Sequence, residues 1–181
     1  MKIFYLLVVT LLVHSVNSQT AEKIYQAFSK EVDGIKISIK APTAYKIVDN
    51  KFEINSVFMI SKFKTNYVSR NVFKVSQKSI PQNFTNQMIS EMLSDKNKSI
   101  QIFKGMERSD PLIKLDVNSF NSEVINGLNF YKIEFKKGIL ENICFSTVYK
   151  RKLFIIYITY ITLKEGEMDE FYEILNSLVI K

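Results

Sequence analysis

Histidine is nearly missing from this chain, and that shortage narrows the chemistry more than any motif does. His14 is the sole histidine, tryptophan is absent, Cys144 is the sole cysteine, and the 181 residues contain five glycines and three prolines. Without a second imidazole, a zinc site built on histidine has no ligand set. Once the first eighteen residues are set aside, as argued below, Ser-His-Asp and Cys-His arrangements lose their base as well. A lone thiol has no partner within the chain, so the fold must rest on its core and not on disulfides. The glycines at 34, 105, 127, 138 and 166 stand apart from one another, which excludes a glycine-rich phosphate loop. Arginine is limited to Arg70, Arg108 and Arg151. With so few guanidinium groups behind an export signal, no nucleic-acid partner is expected.

What is present begins with that signal. "MKIFYLLVVTLLVHSVNS" carries a positive Lys2, an apolar run from Ile3 to Val13, and Val16 with Ser18 ahead of Gln19, the three parts of a secretory signal peptide. The apolar run is about half the roughly 20 residues that span a bilayer. No cysteine stands at the junction to receive lipid. The expectation is a cleaved signal peptide at 1–18 and a single globular domain at 19–181. That domain is expected to be periplasmic or secreted, with no lipid anchor and no transmembrane segment.

The chain is basic, with 25 Lys+Arg against 18 Asp+Glu. Lysines such as Lys62, Lys74, Lys78, Lys132, Lys136 and Lys150 are scattered, as on the solvated faces of strands. Such a surface also attracts an acidic protein or an anionic envelope surface.

Periodicity supplies the elements. In "AEKIYQAFSK" Ile24 and Phe28 stand one turn apart, which predicts a short helix or a loosely docked N-terminal segment. "GIKISIK" alternates Ile35, Ile37 and Ile39 with polar residues, a half-buried strand. "INSVFMISKFK" and "RNVFKVSQK" read as further strands. In "SIPQNFTNQMISEMLSDKN" Phe84, Met88 and Met92 recur every fourth residue beside Ile89 and Leu93, an amphipathic helix starting near Ser79, Pro81 and Gln82. A polar connection around "GMERSDP" follows. Asn126-Gly127 predicts a hairpin between "LIKLDVNSFNSEVI" and "LNFYKIEFKK", with Tyr131, Ile133 and Phe135 on one face. The short basic turn "KRK" joins "ENICFSTVY" to "LFIIYITYITL" in a second hairpin. Met168, Phe171, Leu175 and Leu178 trace a C-terminal helix behind an acidic first turn.

"LFIIYITYITL" is too short for a membrane helix, and its Ile, Thr and Tyr favour strand. A strand apolar on both sides must be covered on both faces of its sheet. The fold class is therefore α+β, an α/β/α sandwich with a mostly antiparallel central sheet and helices on both faces.

The order of these elements, with the strings "IKISIKAP", "VINGLNFYKIEF", "ICFSTVYKRKLFIIYITY" and "FYEILNSLVI", resembles the PsbP-like family over about Gly34 to Lys181. That family includes an extrinsic lumenal photosystem II subunit, a Ran-binding import factor and bacterial envelope proteins. The resemblance implies a scaffold for binding macromolecules, with no common catalytic centre. The matching positions are apolar or turn residues and bring no site residue with them.

No catalytic, cofactor-binding or metal site is expected. Cys144 sits among apolar neighbours, as a buried inert thiol does. Glu165, Glu167, Asp169 and Glu170 lack the alternating ligands and central glycine of a calcium loop, and acids are expected at a helix start. Tyr149, Tyr157, Tyr160 and Tyr172 gather near the C-terminal hairpin and helix, either as core or as the wall of an apolar pocket. The preferred expectation is a non-enzymatic binding or accessory domain that meets an acidic protein or an envelope surface. Two alternatives stand beside it: a carrier of a small apolar ligand, and, last, a carboxylate-dependent hydrolase requiring two acids in one cleft.

Overall fold

Apolar residues alternate with lysine and serine along much of the chain, and the result is a structure dominated by strands. The computed structural model describes residues 23–48, 55–64, 67–106 and 116–181. The segment 1–18 and most of the GMERSDP connection lie outside these residues. Among the described residues ten strands run in chain order: β1 Tyr25–Val32, β2 Ile35–Pro42, β3 Tyr45–Ile47, β4 Ser56–Lys64, β5 Tyr67–Ser79, β6 Asp116–Ile125, β7 Leu128–Lys137, β8 Leu140–Tyr149, β9 Lys152–Tyr160 and β10 Val179–Ile180. Helices α1 Asn86–Ser94 and α2 Lys96–Met106 fall between β5 and β6, and α3 Glu167–Asn176 precedes β10. Seven strands form one sheet in the order β3-β4-β5-β9-β8-β7-β6, and β1-β2-β10 form a second. Every pairing is antiparallel.

The apolar strand is β9, seated between β5 and β8. Its side chains divide by parity. Phe154, Ile156 and Ile158 enter a core with Phe73, Val75, Ile37, Ile39, Phe171 and Ile174. Leu153, Ile155 and Tyr157 enter another with Ile133, Phe135, Cys144, Ile89, Leu93 and Phe103. Residues 153–158 are all buried, and each large apolar side chain so placed contributes about 1.5–3 kcal/mol. The strand is core on both faces, as its lack of alternation requires.

The α+β class and the mostly antiparallel sheet are as expected, but the cover is not made of helices alone. Residues of α1 and α2 pack on one face. The other face is shared between α3 and the three-stranded sheet, whose Ile35, Ile37 and Ile39 join the same core as Phe171 and Leu175.

The expected N-terminal helix is a strand. Ile24, Phe28 and Val32 are spaced by four, a spacing that satisfies both the helical and the strand period. Pairing of Tyr25–Val32 along the whole of β2 decides for the strand. The middle helix begins later than expected, with Thr85 as N-cap accepting from the Met88 N–H at 3.1 Å. Asp95 then breaks it and starts α2, its Oδ1 accepting from the Lys98 N–H at 3.0 Å. Ile89 and Leu93 are the buried stripe of α1, while Met88 is 43 % exposed.

Candidate functional site

Among the described residues, three two-residue turns close hairpins with both residues at positive φ, the signature of a type I′ turn. Asp33-Gly34 (52° and 72°) joins β1 to β2, Asn126-Gly127 (48° and 80°) joins β6 to β7, and Lys150-Arg151 (44° and 59°) joins β8 to β9. The first two use the residues this turn favours. The third places two long, branched-free cations in the left-handed region, where a side chain with Cβ costs roughly 1–2 kcal/mol per residue. Strain of this kind gathers where the side chains have work to do.

The turn is held from below. The Arg151 N–H donates to Asn86 Oδ1 (3.1 Å), the Ile80 N–H donates to the Arg151 carbonyl (3.0 Å), and the Arg151 guanidinium donates to the Pro81 carbonyl (3.2 Å). Lys150 extends over the Tyr149 ring, its Nζ 5.2 Å from the centroid. Next to it, the Lys152 ammonium donates to Asp33 Oδ2 (2.5 Å) and Ser79 Oγ (2.8 Å), tying this turn to the β1–β2 turn. Lys36 lies two residues past that turn and is bonded reciprocally to Lys181 through the backbone. Paired residues share a sheet face, so two lysines stand side by side there. Lys36, Lys78, Lys150, Arg151 and Lys181 are exposed. Glu31 and Asp33 are the acids nearest to them on β1 and its turn. A polar cleft of about 560 Å³ opens beside this group, lined by Lys30, Asp33, Ser56, Gln77 and Ser79 among others. The buried Gln77 amide donates to Asp33 Oδ2 (3.2 Å) and leaves its Oε1 without a partner. The cleft itself has two acids, Glu31 and Asp33, against Lys30, so what this end offers an anionic partner is the exposed charge around the turn.

The acidic cluster at the start of α3 does other work. Lys62 Nζ lies 2.6 Å from Glu170 Oε2 and 3.7 Å from Glu167 Oε1. Glu167, buried, also accepts from the Asn71 amide (3.1 Å) and the Lys164 N–H (2.9 Å). The Tyr45 hydroxyl donates to Glu170 (3.1 Å), and burial first, with Glu170 second, pushes its pKa well up. Two carboxylates do meet here, but both are committed to one lysine that locks α3 onto β4. Glu165 and Asp169 point to solvent, and among the described residues no group of three acids, cysteines or histidines converges on a metal-sized site.

The four tyrosines do not form one cluster. Tyr157 lies on the α1–α2 side, 5.4 Å from Phe103 with Lys74 Nζ 4.3 Å from its centroid. Tyr149, Tyr160 and Tyr172 lie on the other side of the sheet. There Lys132 donates to the Tyr172 hydroxyl (2.8 Å) and pairs with Glu134 (2.7 Å). Burial alone would lower the pKa of Lys132, but its bonds to Glu134 and Tyr172 outweigh burial and leave it raised. An apolar cleft of about 200 Å³ lies between the β6–β7 hairpin and β10, lined by Ile125, Leu128, Phe130 and Leu178 among others, and no residue of 153–163 contributes to it. Cys144 is buried.

The letters "KRK" predict a short basic turn and no site. The signal was the contrast with Asn126-Gly127, since two hairpins of equal loop length carry such different residues.

No protein-family model matches the sequence, and no curated protein sequence matches it with significance. The solution structure of cyanobacterial PsbP (CyanoP) from Synechocystis sp. PCC 6803 superposes with a TM-score of 0.57 at 14% identity, covering 92% of this chain and 99% of that one. A crystal structure from Bacteroides thetaiotaomicron aligns at a TM-score of 0.48 and 12% identity, covering 80% of this chain and 45% of that one. No helix among the described residues is long and apolar enough to cross a membrane. The chain has the PsbP-like fold.

Proposed function

We propose that residues 19–181 form an exported, non-enzymatic binding domain that engages an acidic protein or an anionic envelope surface through the basic end around Lys150-Arg151. The observation that carries this reading is the turn itself, two cations held in a conformation that asparagine and glycine adopt with less strain. Export rests on the N-terminal segment, and the accessory role on the PsbP-like fold. The carboxylates that meet are spent on a structural ion pair, which favours binding over hydrolysis.

The test uses residues 19–181 with two probes, poly-glutamate for an acidic protein and phosphatidylglycerol vesicles for an anionic surface. The reading predicts binding to at least one of them, weakening steeply between about 0.05 and 0.5 M salt as the Debye length contracts. Absence of binding to both, or binding indifferent to salt, would remove it.

A further inference from the structure

A second cleft borders the Lys150-Arg151 turn, on the face of the sheet that carries α1. A space of about 340 Å³ opens there between the start of α1 and the turn ends of β7 and β8. Its walls include Asn86, Gln87, Ser90, Asn129 and Thr147, and no charged residue lines it. Asn86 joins cleft and turn, since it forms part of the wall while its Oδ1 accepts from the Arg151 N–H at 3.1 Å. The Thr147 hydroxyl donates to the Asn129 carbonyl (2.7 Å) and keeps an oxygen that can accept. Gln87 is engaged with Glu91 one turn further on (2.9 Å). The Ser90 and Asn129 side chains and the Asn86 amide nitrogen make no hydrogen bond among the described residues.

Cations stand in line with this cleft. Lys78 pairs with Leu153 of the core beneath α1 and α2, so it shares that face with Asn129, whose strand neighbours Tyr131 and Ile133 point the same way. From β5 through β9 and β8 to β7 is three strand spacings, roughly 14 Å. Lys78, Arg151 and Asn129 therefore follow one another along one end of the face, charge giving way to amide. Arg151 spends one guanidinium bond on the Pro81 carbonyl and has further N–H groups to offer. Glu31 and Asp33 belong to the second sheet, which packs on the opposite face. On the reading that the Lys150-Arg151 end binds anions, we propose that its ligand is an acidic oligosaccharide, with carboxylates on Lys78, Lys150 and Arg151 and ring hydroxyls in the amide-lined cleft. A sugar hydroxyl both donates and accepts, as carboxamides and the serine and threonine hydroxyls do, so the two surfaces match. The cleft stands at the small end of ligand sites, about 300–1,000 Å³, which suits one end of a chain whose remainder follows the cations. An acidic peptide anchors through aromatic or apolar side chains in matching pockets, and these walls are mostly amide and hydroxyl. A flat lipid surface would meet the turn and leave the concavity empty.

Three probes of matched length separate charge from hydroxyls: tetragalacturonate has both, its methyl ester has hydroxyls alone, and tetraglutamate has carboxylates alone. Each is titrated into residues 19–181 at fixed low salt, with amide chemical shifts as the readout. Tetragalacturonate should bind about tenfold or more tighter than either of the others, as two or more added hydrogen bonds give. Its shifts should include Gln87, Ser90, Asn129 and Thr147 as well as Lys78, Lys150 and Arg151. Asn129→Ala, at an exposed position whose backbone bond from Thr147 stays, should weaken tetragalacturonate about fivefold and leave tetraglutamate unchanged. Equal affinity for the two acids would overturn the oligosaccharide and leave the basic end as a general anion surface. Cleft amides that do not shift, or an Asn129→Ala variant that binds tetragalacturonate as before, would do the same. An ester that binds as tightly as the acid would overturn the part given to the cations. Binding of neither acid would overturn the oligosaccharide together with the anionic reading on which it rests.

Discussion

Replacing Lys150-Arg151 by Asn-Gly separates stability from binding. Both residues sit at positive φ, 44° and 59°, and Asn-Gly is the pair that this turn prefers. Relief of left-handed strain is worth about 1–2 kcal/mol for the two positions together, once asparagine's own residual cost and glycine's larger loss of freedom are counted. Against it stand one exposed hydrogen bond, from the Arg151 guanidinium to the Pro81 carbonyl, worth about 0.5–1 kcal/mol, and the exposed contact of Lys150 with the Tyr149 ring, worth about 0.5 kcal/mol. The other two ties, to Asn86 and from Ile80, run through the Arg151 backbone and survive. The double variant should therefore be more stable by up to about 1 kcal/mol, which for a chain of this size raises Tm by up to about 2–4 °C. The same variant should lose most of its affinity for whichever anionic probe the native chain binds. Thermal and urea denaturation give the first quantity, and probe titration at fixed low salt gives the second. A less stable variant would refute the strain reasoning. A stabilised variant that binds as before would refute the role of the turn.

Ile156→Ala, at a fully buried position in the middle of β9, should cost about 2–5 kcal/mol in urea unfolding; a cost below about 1 kcal/mol would mean that β9 is a loosely packed pocket wall. Glu167→Gln leaves Lys62 its shorter contact to Glu170 in a partly buried network and should destabilise by about 1 kcal/mol, with the amides of α3 losing exchange protection first. Glu134, held below its ordinary pKa chiefly by its hydrogen bond to Lys132, contributes stability that is complete above the unfolded carboxylate range and is lost as pH falls through its lowered folded value. Glu134→Gln should flatten the fall in stability below about pH 4.5, by under about 1 kcal/mol given its partial exposure; an unchanged acid limb would remove the pair from the account.

The sheet was legible where burial and turn chemistry leave one answer. The unbroken apolar run of β9 demanded cover on both faces and received it, and Asn126-Gly127 specified its hairpin. The first strand was not legible, because Ile24, Phe28 and Val32 fit both periods and only pairing with β2 separates them. The three-stranded sheet depends on β10, two residues long, meeting β2 across most of the chain, and no local pattern announces a contact of that range. Asp95 closes one helix and caps the next, a break that the stripe of Phe84, Met88, Ile89, Met92 and Leu93 does not announce. For the candidate site, the letters "KRK" indicate a turn and a charge, but the left-handed backbone beneath Lys150 and Arg151 belongs to the hairpin's twist and is invisible in composition. The division of Tyr157 from Tyr160 across the sheet was available, since residues three apart in a strand face opposite ways.

The central claim is that the basic end around Lys150-Arg151 is the binding surface. Amide chemical-shift mapping of residues 19–181 titrated with poly-glutamate, and separately with phosphatidylglycerol vesicles or nanodiscs, tests it directly. The account predicts saturable shifts or broadening concentrated at Lys36, Tyr149–Lys152 and Lys181, fading as salt is raised. Perturbations centred on the Lys62 end of the sheet, or spread evenly over the lysines of every strand, would contradict it.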